Sequence, residues 1–420
     1  MVHIKTERLA IEGGKPVRTR PWPARHLIGA AEKRAAMKVF DEAIRTGIAF
    51  GYNGPYEQAY EKKFAAMMGG GFADGVNSGT NAVFCALGAL RLEPFSEVIV
   101  PAMTDPGGMM PVVFLGCVPV VADCDPRSYN TSAEQIAPLI SPRTRAIIVA
   151  HMGGEPADMD PIMELARAHN LFVIEDCAQA HGAKYKGRLV GTIGHIASFS
   201  TMFGKHHCTG AQGGVVYTRN EELYWNAKRF ADRGKPFNLP DAPGNVVAGL
   251  NCNLNELSAA IGLAQLRKLP SVIERRHRIG EAVKRALKNS KAVTVGWQVP
   301  QTWCTYWFLR FHVELDAIRV TKEQFCEALA AEGIGKTIDP FYYAIPSDRP
   351  WFTKPAIFGN SGFPWSCSDY KGPRTPQNNI ENAKRVTQSH FIIWINERYG
   401  QREIEDLVRA IKKVEKAYLR

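Results

Sequence analysis

No stretch of eighteen consecutive apolar residues occurs in this 420-residue chain, so no membrane-spanning helix is expected. Its opening, Met1-Val-His-Ile-Lys-Thr-Glu-Arg8, lacks the apolar run of a secretory signal. Nine cysteines (85, 117, 124, 177, 208, 252, 304, 326 and 367) are odd in number and fall at no paired metal-ligand spacing. They read as reduced, mostly buried thiols of a cytoplasmic protein. The net charge is +11, but the basic residues are dispersed and form no aromatic-studded cluster, so no nucleic-acid interface is expected. The excess either favours anionic ligands such as phosphates or marks a generally basic surface. Internal repeats and low-complexity tracts are also missing. What the chain does have is 45% hydrophobic and 22% charged residues, enough for two globular domains with ample cores.

Six short apolar runs punctuate residues 76–218: Glu97–Val100, Val118–Ala122, Ala146–Ala150, Leu171–Ile174, Ile196–Phe199 and Gly214–Thr218. Most are bounded by Pro, Gly or Asp, and helical patterns such as Met159 to His169 lie between several of them. Runs apolar on both faces and spaced by helices indicate an α/β fold with a mostly parallel sheet sandwiched by helices. Asn255 to Leu287 reads as helical, with Asn253 or Asn255 as cap and Pro270 as a break or kink. Beyond it the pattern turns α+β: a strand at Tyr306–Val313, a helix at Lys322–Glu332 and an amphipathic helix from Arg402 to Ala417. The expected division is a large domain over 1–275, with an N-terminal arm, and a small C-terminal domain over 276–420. Residues 345–376, rich in Pro, Gly, Ser and Trp, read as a long surface loop.

Three segments carry chemistry. Ser78-Gly79-Thr80 opens a helix whose first backbone amides, with Gly79 permitting close approach and the Thr80 hydroxyl alongside, make an anion pocket. Asp176 ends an apolar strand, where open α/β sheets place their ligands, and Gln179 follows three residues later. Lys205 lies on a turn between the strand ending near Phe199 and the pair Gly213-Gly214. Each alone has an ordinary explanation: a helix cap, a capping carboxylate, a solvated lysine. Together, in this order and on strand ends, they suit pyridoxal 5'-phosphate. The amine condenses with the cofactor aldehyde, and the carboxylate keeps the ring nitrogen protonated.

The chain resembles, over nearly its whole length, the DegT/StrS-type sugar aminotransferases, which are fold-type I pyridoxal phosphate enzymes. The likeness rests on Ser78-Gly79-Thr80, His151-Met-Gly-Gly-Glu-Pro-Ala-Asp-Met-Asp160, Glu175-Asp176-Cys-Ala-Gln179-Ala-His181, Ser198, Gly213-Gly214 and Gly249-Leu-Asn251-Cys-Asn253-Leu-Asn-Glu256. The N-terminal Glu7 to Arg20 resembles the branch acting on aminocyclitol ketones and aminohydroxybenzoate precursors. The resemblance implies Ser198 and the 78–80 turn on the cofactor phosphate, Gln179 on the ring hydroxyl, and Asn251 reaching the phosphate of a second subunit. It further implies a homodimer, a keto sugar (nucleotide-linked) or cyclitol ketone as acceptor, and glutamine or glutamate as amino donor. Its cofactor would alternate between the pyridoxal and pyridoxamine forms, PLP and PMP.

Three departures stand out. Asp105 occupies the place where the family carries a ring-stacking aromatic residue, so that Met103 or Met109 covers the ring, the stacking is lost, or the carboxylate faces a substrate amine. Counted back from Gly213-Gly214, the lysine slot falls on His206; counted forward from Ser198-Phe199, Lys205 fits the longer spacing. Related sugar dehydratases place histidine in that slot, so His206-His207 allow a dehydratase alternative; a binding protein that kept the fold is a second. Gln212 and Ala211 replace a frequent glutamate and glycine before the double glycine. The reading adopted is Lys205 as the covalent residue, Asp176 on the ring nitrogen, and no metal.

Overall fold

The structure, a computed structural model, describes residues 7–342, 344–355 and 357–420. The first six residues, part of the segment read for a secretory signal, lie outside them. Fourteen strands occur among the described residues. Five precede the middle of the chain: β1 (Phe72–Val76), β2 (Glu97–Pro101), β3 (Val118–Ala122), β4 (Thr144–Ala150) and β5 (Phe172–Asp176). A two-residue pair, β6 (Lys184–Tyr185) and β7 (Arg188–Leu189), is followed by β8 (Ile196–Ser200) and β9 (Gly214–Thr218). The remainder are β10 (Val293–Val295), β11 (Thr302–Trp303), β12 (Leu309–Val313), β13 (Ile338–Asp339) and β14 (His390–Ile393).

The large sheet runs β1-β9-β8-β5-β4-β2-β3. Its strands are apolar on both faces because helices cover both. The cluster on one face contains Ile174, Ile196 and Val216, and the cluster on the other contains Val173, Ala197, Phe199 and Val215. Only β9 opposes its neighbours, pairing antiparallel with both β1 and β8. The other six strands therefore run one way and end at one edge. That edge receives the segments after Val76, Pro101, Ala150, Asp176 and Ser200. The six strands expected from sequence are present; β1, with Ala, Asp and Gly at its centre, carries too little β-branched content to announce itself.

A second sheet, β10-β12-β14-β13, forms the C-terminal part, covered by the helices Lys322–Leu329 and Gln401–Tyr418. The strand expected from Tyr306 begins three residues later, because Thr305 and Trp307 donate their backbone N–H groups to Gly154 and Gly153 instead of to a ladder. Two expectations change and a third is sharpened. Pro270 breaks nothing: one helix runs Glu256–Ala286 straight across the expected boundary at 275, capped by Asn255 Oδ1 on the Ser258 N–H (2.8 Å). The N-terminal arm, grouped by sequence with the large sheet, packs on the C-terminal part: Glu332 accepts from Ala10 and Val17, and Arg18 pairs with Asp406 at 2.8 Å. The 345–376 stretch is the expected loop, mostly turns with many exposed residues, but it is anchored inward. It buries Ile345, Phe352, Trp365 and Tyr370 in the core shared with β2 and β4, and Tyr370 hydroxyl binds Glu97 at 2.8 Å. Its Pro and Gly content hid those aromatic anchors. Among the described residues, no helix is long and apolar enough to cross a membrane.

Candidate active site

The helix Gly79–Ala89 begins directly after β1, and its first turn rests on β8. A β-carbon at Gly79 would meet Ser200 Cβ at 2.6 Å, so only glycine lets the helix N-terminus approach this closely. Ser78 caps the helix by accepting the Asn81 N–H at 3.1 Å, which leaves the first free amides beside the Ser200 side chain, with the Thr80 hydroxyl against Gly107 on the Asp105 turn. Ser198, the serine picked from sequence, lies one pleat deeper. It sits on the same face as Ser200 and beside Asp176 in register, and its Oγ is buried without a partner. Ser200 is the serine at the mouth. Strand alternation held the signal: 196, 198 and 200 share a face, and only the last reaches the sheet's ligand edge.

Asp176 is buried at the end of β5, one oxygen held by the Ala178 N–H at 3.0 Å. Burial raises its pKa, opposed by that bond and by the charge of Lys205. The turn carrying Asp105 crosses in front. A β-carbon at Gly108 would stand 3.0 Å from Asp176 Oδ2, so the missing side chain keeps the second carboxylate oxygen open. Asp105 is exposed and caps its own turn through Oδ1 on the Gly107 N–H (2.9 Å), while Met103 and Met109 are fully buried in the core. Gln179 has both ends of its amide engaged: Oε1 accepts the Gly153 N–H at 2.7 Å, and Nε2 donates to Tyr342 hydroxyl at 3.1 Å.

Lys205 is 7% exposed, and its ammonium lies 3.9 Å from the centre of the Trp307 ring. Burial lowers its pKa to about 8, against the pull of Asp176 and Asp105. The turn is held from several sides. Gly204 carbonyl accepts from Trp307 Nε1 (2.9 Å) and Arg25 Nη1 (3.2 Å); His206 Nε2 meets Thr305 carbonyl at 3.0 Å; and His207 Nε2 meets Tyr60 hydroxyl at 2.7 Å. Consecutive side chains thus divide the work. Lys205 points to Asp176 and Asp105, while His206, its pKa driven far down by burial and by Arg276, is engaged with the segment behind. The structure brings Gly79, Thr80, Asp105, Asp176, Gln179 and Lys205 to one recess and leaves His206 outside it. Asn251 is exposed on the far flank, its carbonyl receiving Asn77 Nδ2 at 3.4 Å and its side chain bound to Asn253 at 2.7 Å. Trp307 was missed from sequence, because nothing in its spacing marks a tryptophan that reaches back from the second sheet.

Among the described residues one trio has the residue types of a metal site: His151, Glu175 and Cys177, all buried. The histidine and the glutamate are already committed. Glu175 accepts from His151 Nε2 (3.1 Å) and from the N–H groups of Gly191, Ile193 and Gly194, and His151 Nδ1 accepts from Ala157. They form the underside of β5 and orient the strand that presents Asp176.

A buried carboxylate with an open oxygen, an unpartnered hydroxyl at Ser198, a helix N-terminus above Ser200 and an amine with lowered pKa fit pyridoxal phosphate group by group. The fold and recess define a pyridoxal phosphate enzyme of the aminotransferase type, built on a sheet whose parallel strands end at the cofactor. More narrowly, the chain belongs to the DegT/DnrJ/EryC1/StrS aminotransferase family, whose profile matches residues 31–357. It is 37% identical to GDP-perosamine synthase of Escherichia coli O157:H7 over 256 residues, 61% of this chain and 69% of that protein. It is 31% identical to L-glutamine:2-deoxy-scyllo-inosose aminotransferase of Micromonospora echinospora over 430 aligned positions, 97% of each chain. The aminotransferase of Psychrobacter cryohalolentis superposes with a TM-score of 0.82 at 27% identity, covering 96% of this chain and all of that one.

Proposed function

We propose that this enzyme moves an amino group from glutamine or glutamate to a cyclitol ketone or keto sugar, as a homodimer in the cytoplasm. The observation that carries the reading is the pairing of Lys205 and Asp176 in one recess at the parallel-strand edge, with His206 turned to Thr305. The near-full-length likeness to a scyllo-inosose aminotransferase favours a cyclitol ketone over the nucleotide-linked sugar of the perosamine synthase, whose likeness covers less of the chain.

Pyridoxal phosphate, when bound, supplies an aldehyde for the lysine amine and a ring that accepts electrons. Asp176 holds a proton on the ring nitrogen, its charge stabilised by that partner. The Gly79 and Thr80 amides, with the Thr80 and Ser200 hydroxyls, take the phosphate. Lys205, neutral in appreciable fraction near its pKa of about 8, takes and returns the proton at the substrate carbon bearing nitrogen. Trp307 and Arg25 fix the height of that amine through Gly204 carbonyl.

An exposed apolar stripe supports the dimer: Met37, Phe40, Ile44 and Ile48, with Leu250 exposed beside Asn251. Eight of the nine thiols are buried and all are free, as in a reducing compartment. The visible spectrum of the purified protein tests the reading. A yellow band that disappears in Lys205→Ala and persists in His206→Ala, with amine transfer from glutamine to cyclitol ketones or keto sugars, is the expected result. The reverse spectral pattern, with loss of a hydroxyl and no net amine transfer, establishes the dehydratase. Sedimentation of twice the 46.5 kDa chain mass is expected for the dimer.

A further inference from the structure

Four ring nitrogens behind the lysine turn are buried without a partner: both of His181, Nδ1 of His206 and Nδ1 of His207. The His181 ring centre stands 5.9 Å from that of His206 and 6.2 Å from that of His207, tilted by 50° and 64°. All three residues are 1% exposed or less. Burial holds each pKa down, helped by the charges of Arg276 and Arg25 at His206 and of Lys205 at His181. Every ring is therefore neutral and carries one N–H. Buried polar atoms in folded proteins find a partner, and water serves where protein does not. A metal ion is not that partner: among the described residues, no group with metal-ligand spacing includes these rings.

The ring hydrogens can be placed. Thr305 carbonyl only accepts, so His206 Nε2, 3.0 Å away, carries the hydrogen and Nδ1 is a bare acceptor. Tyr60 hydroxyl has His207 Nε2 as its one partner among the described residues, at 2.7 Å, and burial keeps the phenol protonated. It donates, so the His207 hydrogen is on Nδ1. The flanking rings thus present one donor and one acceptor, and His181 between them has one of each to match. No ring bonds another directly, and a water reaching about 2.9 Å to either side bridges such a gap. Arg25, whose Nη1 holds the Gly204 carbonyl, leaves Nη2 buried and unpartnered as a further donor.

We propose that His181 is a positioning residue, joined by bridging waters to His207 and His206. The resulting one-way chain of hydrogen bonds, from Tyr60 to Thr305 carbonyl, fixes the turn that aims the Lys205 amine. The role of that amine rests on the aminotransferase reading. His181 acts through the two residues that follow the lysine. Without its nitrogens the turn keeps its two ends, at Tyr60 and Thr305, but loses the link between them. The amine is then aligned for proton transfer less of the time, while the surfaces that bind substrate are unchanged.

A crystal structure of the wild-type holoenzyme is the first test. It is expected to show an ordered water within about 3.2 Å of each His181 nitrogen. Rings packed with no water between them overturn the proposal. The second arm is kinetic. His181→Phe keeps a ring and removes both nitrogens; it is expected to lower kcat roughly tenfold at unchanged KM for donor and acceptor. His181→Gln, whose amide again offers a donor and an acceptor, is expected to recover most of that loss. A kcat equal to wild type in His181→Phe overturns the proposal. So does a loss that follows the folded fraction and that His181→Gln does not recover. The wild-type map decides even if neither variant folds. Wild-type holoenzyme whose yellow band is unchanged by glutamine or glutamate refutes the aminotransferase reading instead. A band that responds, with no water at His181, refutes the chain alone.

Discussion

Glu175 and Asp176 are consecutive, both buried, and face opposite sides of β5. Glu175 takes one imidazole and three backbone N–H groups; burial alone would raise its pKa, yet these bonds hold it below the ordinary value. Asp176 takes a single backbone N–H, and its pKa rises. Two buried lysines divide in the same way. Burial would lower Lys228, but Asp74 at 2.7 Å and Glu61 at 3.5 Å push its pKa up. Lys205 has only distant carboxylates and an indole face, and falls to about 8. Where charge holds the fold together, every lone pair and proton has a partner. Where charge awaits a ligand, partners are withheld, and the shifted pKa measures what the ligand will supply.

The contrast can be broken most sharply at the lysines. Lys205→Ala is expected to lower kcat for amine transfer by roughly 10³-fold or more while leaving the melting temperature near wild type. Lys228→Met, which strands Asp74 and Glu61 without their cation, is expected to cost about 3–5 kcal/mol in denaturant titration. The carboxylates should divide next: Glu175→Gln loses about 1–3 kcal/mol of stability by leaving buried N–H groups poorly matched. Asp176→Asn keeps or raises the melting temperature of the apoprotein, and its kcat drops. A stability loss in Asp176→Asn equal to that in Glu175→Gln would show that both carboxylates serve the fold.

A pH series sharpens the comparison further. The buried Lys205 amine releases its proton near pH 8, whereas an unfolded lysine does so near ~10.4, so between those values the unfolded chain binds more protons. The cost of the buried ammonium is therefore complete below pH 8 and is relieved as pH rises towards 10. The stability of apo wild type minus that of Lys205→Met should climb over this window; a flat difference would mean that the amine is not desolvated. Smallest of all, Ser200→Ala is expected to weaken pyridoxal phosphate affinity by about tenfold, the worth of one charge-assisted hydrogen bond. Ser198→Ala should weaken it less, as read from cofactor release on dilution.

Much of this was legible before any coordinates. The parallel sheet declared itself through runs such as Ala146–Ala150, because burial on both faces leaves no room for polar alternation. Asp176 and Lys205 were legible because chain ends at a sheet edge are where this chemistry must stand. Contacts distant in sequence were not. Trp307 reaches the lysine turn only because Gly153 and Gly154 capture the backbone of residues 305 and 307. Trp365 and Tyr370 sit among the Pro and Gly that normally mark a loop, yet their rings are core. The motif pointed to Ser198, and only the pleat brings Ser200 in as a second candidate for the phosphate, because it decides how far along a strand a side chain stands.

The helix Glu256–Ala286, at 1.5 Å per residue, is about 46 Å long. Near its start the Glu256 carboxylate clasps the amides of Tyr56 and Glu57; twenty residues on, Arg276 grips Glu397 and the carbonyls of Tyr306 and Trp307. One helix thus ties the segment beside the Tyr56 turn to the backbone that carries the Trp307 indole, so a substitution that shifts it at either clasp is expected to be read at both.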